Sequence, residues 1–164
     1  MNDYQAFLQS KRLTTAPAGF TVAPGDINPA LFPYQRAIVR WAAARGRAAI
    51  FADTGLGKTF IQVEWARLVV AETGGKVLLL SPLAVAHQTI REAAKLGVGV
   101  TYVRSQAEAD AAPTAIVITN YDMVKALDAS TFVGVELKRA YWNHAQRYLA
   151  DAAFKSAQPT MFDL

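Results

Sequence analysis

The chain has 164 residues, of which 52% are hydrophobic and 18% charged, a balance that suits one globular domain with a buried core and excludes a disordered polymer. Its formal charge is +4 and its pI near 9.5, a mild cationic excess that suits a polyanionic partner. There is no cysteine, which excludes disulfides and thiolate metal sites, and His87 and His144 lie too far apart to start a metal cluster.

In chain order, residues 3–12 read as a short amphipathic helix, and the proline- and glycine-rich stretch 14–33 as an extended lead-in. From Pro33 the pattern turns helical, with Tyr34, Ile38, Trp41, Ala42 and Arg45 recurring at three- and four-residue steps until Gly46. Strands and helices then alternate. "AAIFA" (48–52) reads as a strand, Lys58 to about Glu72 as a helix stopped by Gly74 and Gly75, and the continuous apolar run 76–81 as a buried parallel strand. A helix over 83–97 follows, then strands over 98–103, 114–119 and 131–137. A last helix from about Lys138 to Phe154 and a frayed tail, "SAQPTMFDL", close the chain.

Strands joined by crossover helices imply an α/β fold: a parallel sheet with helices on both faces and ligands beyond the strands' carboxyl ends. No apolar run approaches the roughly 18 residues that a bilayer demands. The N-terminus lacks the layout of a secretion signal. A cytoplasmic protein without a membrane partner is expected.

The chemistry concentrates in "ADTGLGKT", residues 52–59. Polyphosphate needs inward-pointing backbone N–H groups, a positive helix end and a mobile cation. Gly55 and Gly57 permit such a backbone, with Thr54 and Leu56 between and beside them. Lys58 can reach terminal phosphates, and Thr59 offers a hydroxyl to Mg. Ala52 stands where the general phosphate-loop pattern has its first glycine. In that form the loop resembles motif I of superfamily-two helicases and Swi/Snf-type translocases, where alanine is common.

Other segments follow in that family's order. "LFPYQRAIVRW" resembles the helicase Q motif, which implies that Gln35 reads an adenine edge beside Tyr34 or Phe32. "LLLSPLAVAHQT" is similar to motif Ia and "IVITNYDMV" to the next motif, which implies nucleic-acid contacts at Ser81, Pro82, Thr119, Asn120 and Tyr121. His87 reads as a helix-surface residue. The resemblance covers residues 31 to 133 and implies a three-layer, RecA-like phosphate-loop lobe that binds ATP, Mg and DNA.

Motif II should come next, an apolar strand ending in Asp-Glu. Here "TFVGVELKRAYW" ends its strand in a lone Glu136 followed by cations. The tail "FVGVELKRAYWNHAQRYL", with "MFDL" at the terminus, instead resembles the end of phage-type DNA amino-methyltransferases. There a matching glutamate grips the ribose of S-adenosylmethionine, but that family's D-P-P-Y and F-x-G-x-G motifs are missing. The two likenesses imply a junction near Phe132–Val135 and an incomplete lobe. Residues 1–30 are then lead-in, 31–135 the ATP-binding lobe and 136–164 a methyltransferase-like tail.

Without motif II acids or a second lobe, whose arginine is worth about 10³–10⁵ in rate where one is used, slow or absent hydrolysis is expected. Lys58 is the expected catalytic lysine, and Glu136 the one acid in motif II's place. A second RecA-like lobe or a protein partner supplied in trans would complete the machine. Two other readings stand beside this one: a non-catalytic interaction module stabilised by nucleotide, and a methyltransferase remnant.

Overall fold

The computed structural model describes residues 17–135. The helix expected over residues 3–12, the one over 138–154, Glu136 and the terminal tail lie outside the described residues.

Helix α1, Pro33–Arg45, starts where the ring of Pro33 presets the first turn. It stops at Gly46, whose φ of 72° turns the chain back so that its N–H bonds the carbonyls of Ala42 and Ala43. The lead-in crosses that helix end closely, because a Cβ on Gly19 would run into the Ala43 carbonyl. Phe20 N–H bonds the same carbonyl at 3.0 Å, so the crossing is a fixed contact. Helix α2, Lys58–Thr73, follows the glycine loop and leads through Gly74 and Gly75 into strand β1, Lys76–Leu80. Helix α3 (Leu83–Lys95), strand β2 (Thr101–Tyr102), the one-turn helix α4 (Gln106–Asp110), β3 (Ile116–Thr119) and β4 (Phe132–Val135) complete the order. Ser105 caps α4 by accepting the Glu108 N–H, while a Glu108 carboxylate oxygen accepts the Arg104 N–H at 2.9 Å.

All strands are parallel, in the order β2-β3-β1-β4, with Leu78 opposite both Val117 and Gly134. Alternation along β1 and β3 sends side chains to two cores. Val77, Leu79, Ile116 and Ile118 pack under α1, α2 and α3. Leu78, Leu80 and Val117 face Val103, Ala109 on α4, and Val124 and Leu127 from a 3-10 turn. Each fully buried side chain of this kind contributes about 1.5–3 kcal/mol. The parallel α/β architecture therefore holds. Among the described residues one face carries three long helices and the other only a single turn of α-helix and 3-10 turns.

Helix α2 is buried on nearly every side, including the polar Gln62 and Glu64. Glu64 is fully buried, with its carboxylate accepting from Arg67 Nε (2.9 Å), Arg67 Nη2 (2.7 Å) and the Asn28 N–H (2.8 Å). Arg67 Nη2 also donates to the Asp26 carbonyl, and Asn28 Nδ2 to that of Leu96. The lead-in is thus pinned across α2 to the end of α3. Donation to the Glu64 carboxylate holds the Arg67 guanidinium above its ordinary pKa, against the opposing effect of burial.

Three expected strands differ from the structure. Residues 48–52 are not in the sheet: they form no ladder with either edge strand, and Phe51 is 74% exposed. The run is apolar enough for a strand, but a strand needs a neighbour to satisfy its N–H groups, and residues 48–52 pair with none among the described residues. Only Ile50 leans on the core. The strand expected over 98–103 shrinks to Thr101–Tyr102, because Gly97 and Val98 spend their N–H groups on the α3 carbonyls of Ala94 and Ala93. The strand expected over 114–119 begins at Ile116, and the last one is described over Phe132–Val135.

Two outcomes test this architecture by chemical denaturation. Phe51→Ser shifts stability by no more than about 0.5 kcal/mol, whereas a core strand there would lose several times that. Arg67→Ala strips a buried carboxylate of its main partner and costs about 3 kcal/mol.

Candidate functional site: the glycine loop at the start of α2

Helix α2 runs back toward the start of β1, so its N-terminus lies at the carboxyl edge of the sheet, where α/β folds bind ligands. The loop 53–57 sits there. Gly55 (φ 84°) and Gly57 (φ 64°) adopt the left-handed backbone that turns successive N–H groups to one side. No side chain caps α2, and its first-turn bonds begin at Phe60 N–H to the Gly57 carbonyl. The N–H groups of Gly55, Gly57, Lys58 and Thr59 accordingly meet no acceptor among the described residues. Lys58 curls back over this nest, with Nζ donating to the carbonyls of Ala52 (3.0 Å) and Asp53 (2.8 Å). Thr54 N–H donates to its neighbour Asp53 Oδ1 at 2.7 Å. Thr59 is half-buried in the first turn and its hydroxyl has no protein partner among the described residues.

Gln35 is built into the loop's support. It is 2% exposed; its Oε1 accepts the Phe32 N–H (2.9 Å) and its Nε2 donates to the Leu56 carbonyl (3.4 Å). A Cβ on Gly57 would collide with that Nε2, so the loop can approach α1 only with glycine there. Tyr34 Oη donates to the same Leu56 carbonyl at 3.2 Å, and its ring stacks on Phe32 at 6.1 Å and 9°. The amide expected to read adenine is thus engaged in holding the loop against α1, while Phe32 is the more exposed of the two rings.

The residues expected at nucleic acid come together at the same edge of the sheet, since Leu80 pairs with Thr119. Their side chains turn inward. Ser81 Oγ donates to the Pro82 carbonyl, and the fully buried Thr119 Oγ1 to that of Val103. Asn120 Oδ1 accepts the N–H groups of Asp122 and Met123, and its Nδ2 donates to Tyr102 Oη. Pro82 and Tyr121 are half-buried and leave part of their surface outward. His87 is exposed on α3, as expected, with its ring tilted against that of Tyr102 at 5.8 Å.

No group of three or more metal-ligating side chains occurs among the described residues, so a divalent ion here would rest on Thr59 and on phosphate oxygens. Sequence reasoning missed the Glu64 pin and the burial of Gln62, one turn beyond Lys58. Nothing in a helix pattern that is apolar all round distinguishes those two from surface residues. No protein-family model matches the chain, and no curated protein matches it significantly. Among the described residues no helix is long and apolar enough to cross a membrane.

The Gln62 Nε2 is buried without an acceptor, a donor stripped of water for nothing in return. Gln62→Leu is expected to raise stability by about 1 kcal/mol in urea unfolding, since the apolar side chain removes that desolvation cost.

Proposed function

We propose that this chain is an ATP-binding, DNA-associated lobe of helicase or translocase type that holds Mg-ATP without rapid turnover on its own. The observation that carries the reading is the nest of four unpaired N–H groups with Lys58 folded over it at the start of a buried helix. In this reading Lys58 exchanges the carbonyls of Ala52 and Asp53 for the terminal phosphates. The N–H groups of Gly55, Gly57, Lys58 and Thr59 receive phosphate oxygens, helped by the positive end of α2. Thr54 and Leu56 shape the rim, and Thr59 would hold Mg, which supplies charge neutralisation between the phosphates. Gln35 and Tyr34 fix the loop through Leu56, and Phe32 offers an exposed ring to the base.

Binding and turnover need different groups. Fast hydrolysis needs an acid that orients water and a cation that meets developing charge. Among the described residues the loop has only the exposed Asp53 as a carboxylate of its own. Slow turnover, or completion by a partner, follows from that shortage.

A second reading, a non-catalytic interaction module, is favoured by one observation: the apolar run 48–52 leads straight into the glycine loop yet joins no strand among the described residues and leaves Phe51 exposed. A partner that covers it would stiffen the loop as well.

Titration calorimetry and thermal melting with Mg-ATP, Mg-ADP and S-adenosylmethionine separate these. Mg-ATP is expected to raise the melting temperature, and Lys58→Ala to weaken its binding at least about tenfold, since charge-assisted bonds to phosphate are lost. DNA-stimulated phosphate release would favour the translocase lobe, and nucleotide binding without any release the interaction module. Absence of binding heat at millimolar nucleotide would remove both readings.

A further inference from the structure

We propose that the outer face of α1 is a docking platform for single-stranded nucleic acid. Between Asp26 and Asp53 the chain carries Arg36, Arg40, Arg45 and Arg47 and no carboxylate at all. Helix α1 turns Gln35, Val39, Ala42 and Ala43 inward, which leaves the opposite arc to solvent. On that arc Tyr34 and Trp41 stand two turns apart, about 10 Å along the axis, and are 43% and 48% exposed. Phe32 extends the row by stacking on Tyr34. Ala37 and Ala44 lie beside Trp41 and keep the surface low. Together with Val22 and Thr21 of the lead-in they floor a shallow cavity of about 310 Å³, walled by the Trp41 ring and Arg40.

The chemistry of this face selects its occupant. A row of exposed aromatic rings with a small-residue floor accepts flat rings by stacking, and guanidinium groups beside it meet phosphates. Arg36 is tied to the carbonyls of Leu31 and Pro29 and contributes fixed charge. Arg40 and Arg47 have no partner among the described residues and are available to phosphate. Bases must be unpaired to stack, which favours a single strand over a duplex. An anionic membrane fits less well, because the helix's apolar stripe is already spent on the core and little remains to insert.

The inference rests on the proposed function for the class of ligand alone. It puts the strand on α1, not at Ser81, Pro82 or Tyr121, and needs no nucleotide.

The test uses the full chain and a labelled dT12 oligonucleotide, followed by anisotropy and by tryptophan emission, without nucleotide, at several salt concentrations. Expected are binding that weakens with salt, quenching of tryptophan emission, and an affinity loss of about 5- to 100-fold in Trp41→Ala. Trp41→Phe keeps most of the affinity, and Arg40→Ala lowers the salt slope by about one phosphate contact. Melting curves verify that these surface variants stay folded. Loss of dT12 affinity in Trp41→Ala and Arg40→Ala is read without nucleotide, so failure of the nucleotide reading leaves this result standing. The platform is overturned if Trp41→Ala and Arg40→Ala bind dT12 unchanged. A loss in Tyr121→Ala at the same time would put the strand at the sheet's edge and spare the translocase reading. It is equally overturned if anionic vesicles bind through Trp41 and dT12 does not.

Discussion

Helix α2 is packed on nearly all sides through its middle and reaches solvent toward its two ends, half-buried over Lys58–Phe60 and exposed over Ala71–Thr73. The sheet, α1 and α3 bury its sides, and the Glu64 carboxylate locks the lead-in across it through Arg67 and Asn28. Its first-turn N–H groups, which every α-helix leaves without intrahelical partners, lie at the half-buried start that adjoins the exposed glycine loop. The glycine loop adds further N–H groups there and no capping side chain. Burial of α2 gives the rigidity behind the site, and helix geometry leaves the donors in front of it unsatisfied.

Gln35 shows how that site is kept open. The amide donates to the Leu56 carbonyl and accepts the Phe32 N–H, and Tyr34 reaches the same carbonyl. Two side chains from the first turn of α1 thus hold the loop from behind. Lys58 answers from the other side with bonds to the carbonyls of Ala52 and Asp53. Those bonds are of the exchangeable kind: an ammonium has three donors, and phosphate oxygens offer it a charge-assisted partner that neutral carbonyls do not. The support from α1 is neutral, with Gln35 buried and Tyr34 partly exposed; the lysine contact is charged and exposed in part. Only the second is suited to being traded for a ligand.

Much of the frame is legible in local chemistry. Pro33 and Gly46 bound α1, Gly57 and Gly74 bound α2, and the apolar runs of β1 and β3 read as strands covered on both faces. What escapes is non-local. "AAIFA" has the composition of a buried strand, yet strand formation depends on a neighbour, and composition does not say whether one arrives. The polar ends of β1 and β3 read as places of nucleic-acid contact, and the sequence does not show that the Thr119 and Asn120 side chains are bonded to backbone. A hydroxyl or amide serves either purpose, and the choice is made by loops distant in sequence. Glu64 and Arg67 have the spacing of an ordinary surface pair. Only the lead-in folding over them turns that pair into a buried pin.

The loop and the arginine-rich face of α1 meet at a single residue. The ring of Tyr34 belongs to the exposed aromatic row, while its hydroxyl is bonded to the Leu56 carbonyl. A base stacked along that row would bear on Tyr34, and any movement of Tyr34 changes what holds Leu56. The coupling runs equally in the other direction, because linkage between two binding sites is reciprocal. In the proposed reading, phosphate that draws Lys58 off Ala52 and Asp53 would act on the loop whose far side Tyr34 grips. The 3.2 Å contact between the Tyr34 hydroxyl and the Leu56 carbonyl would then join the two proposed sites.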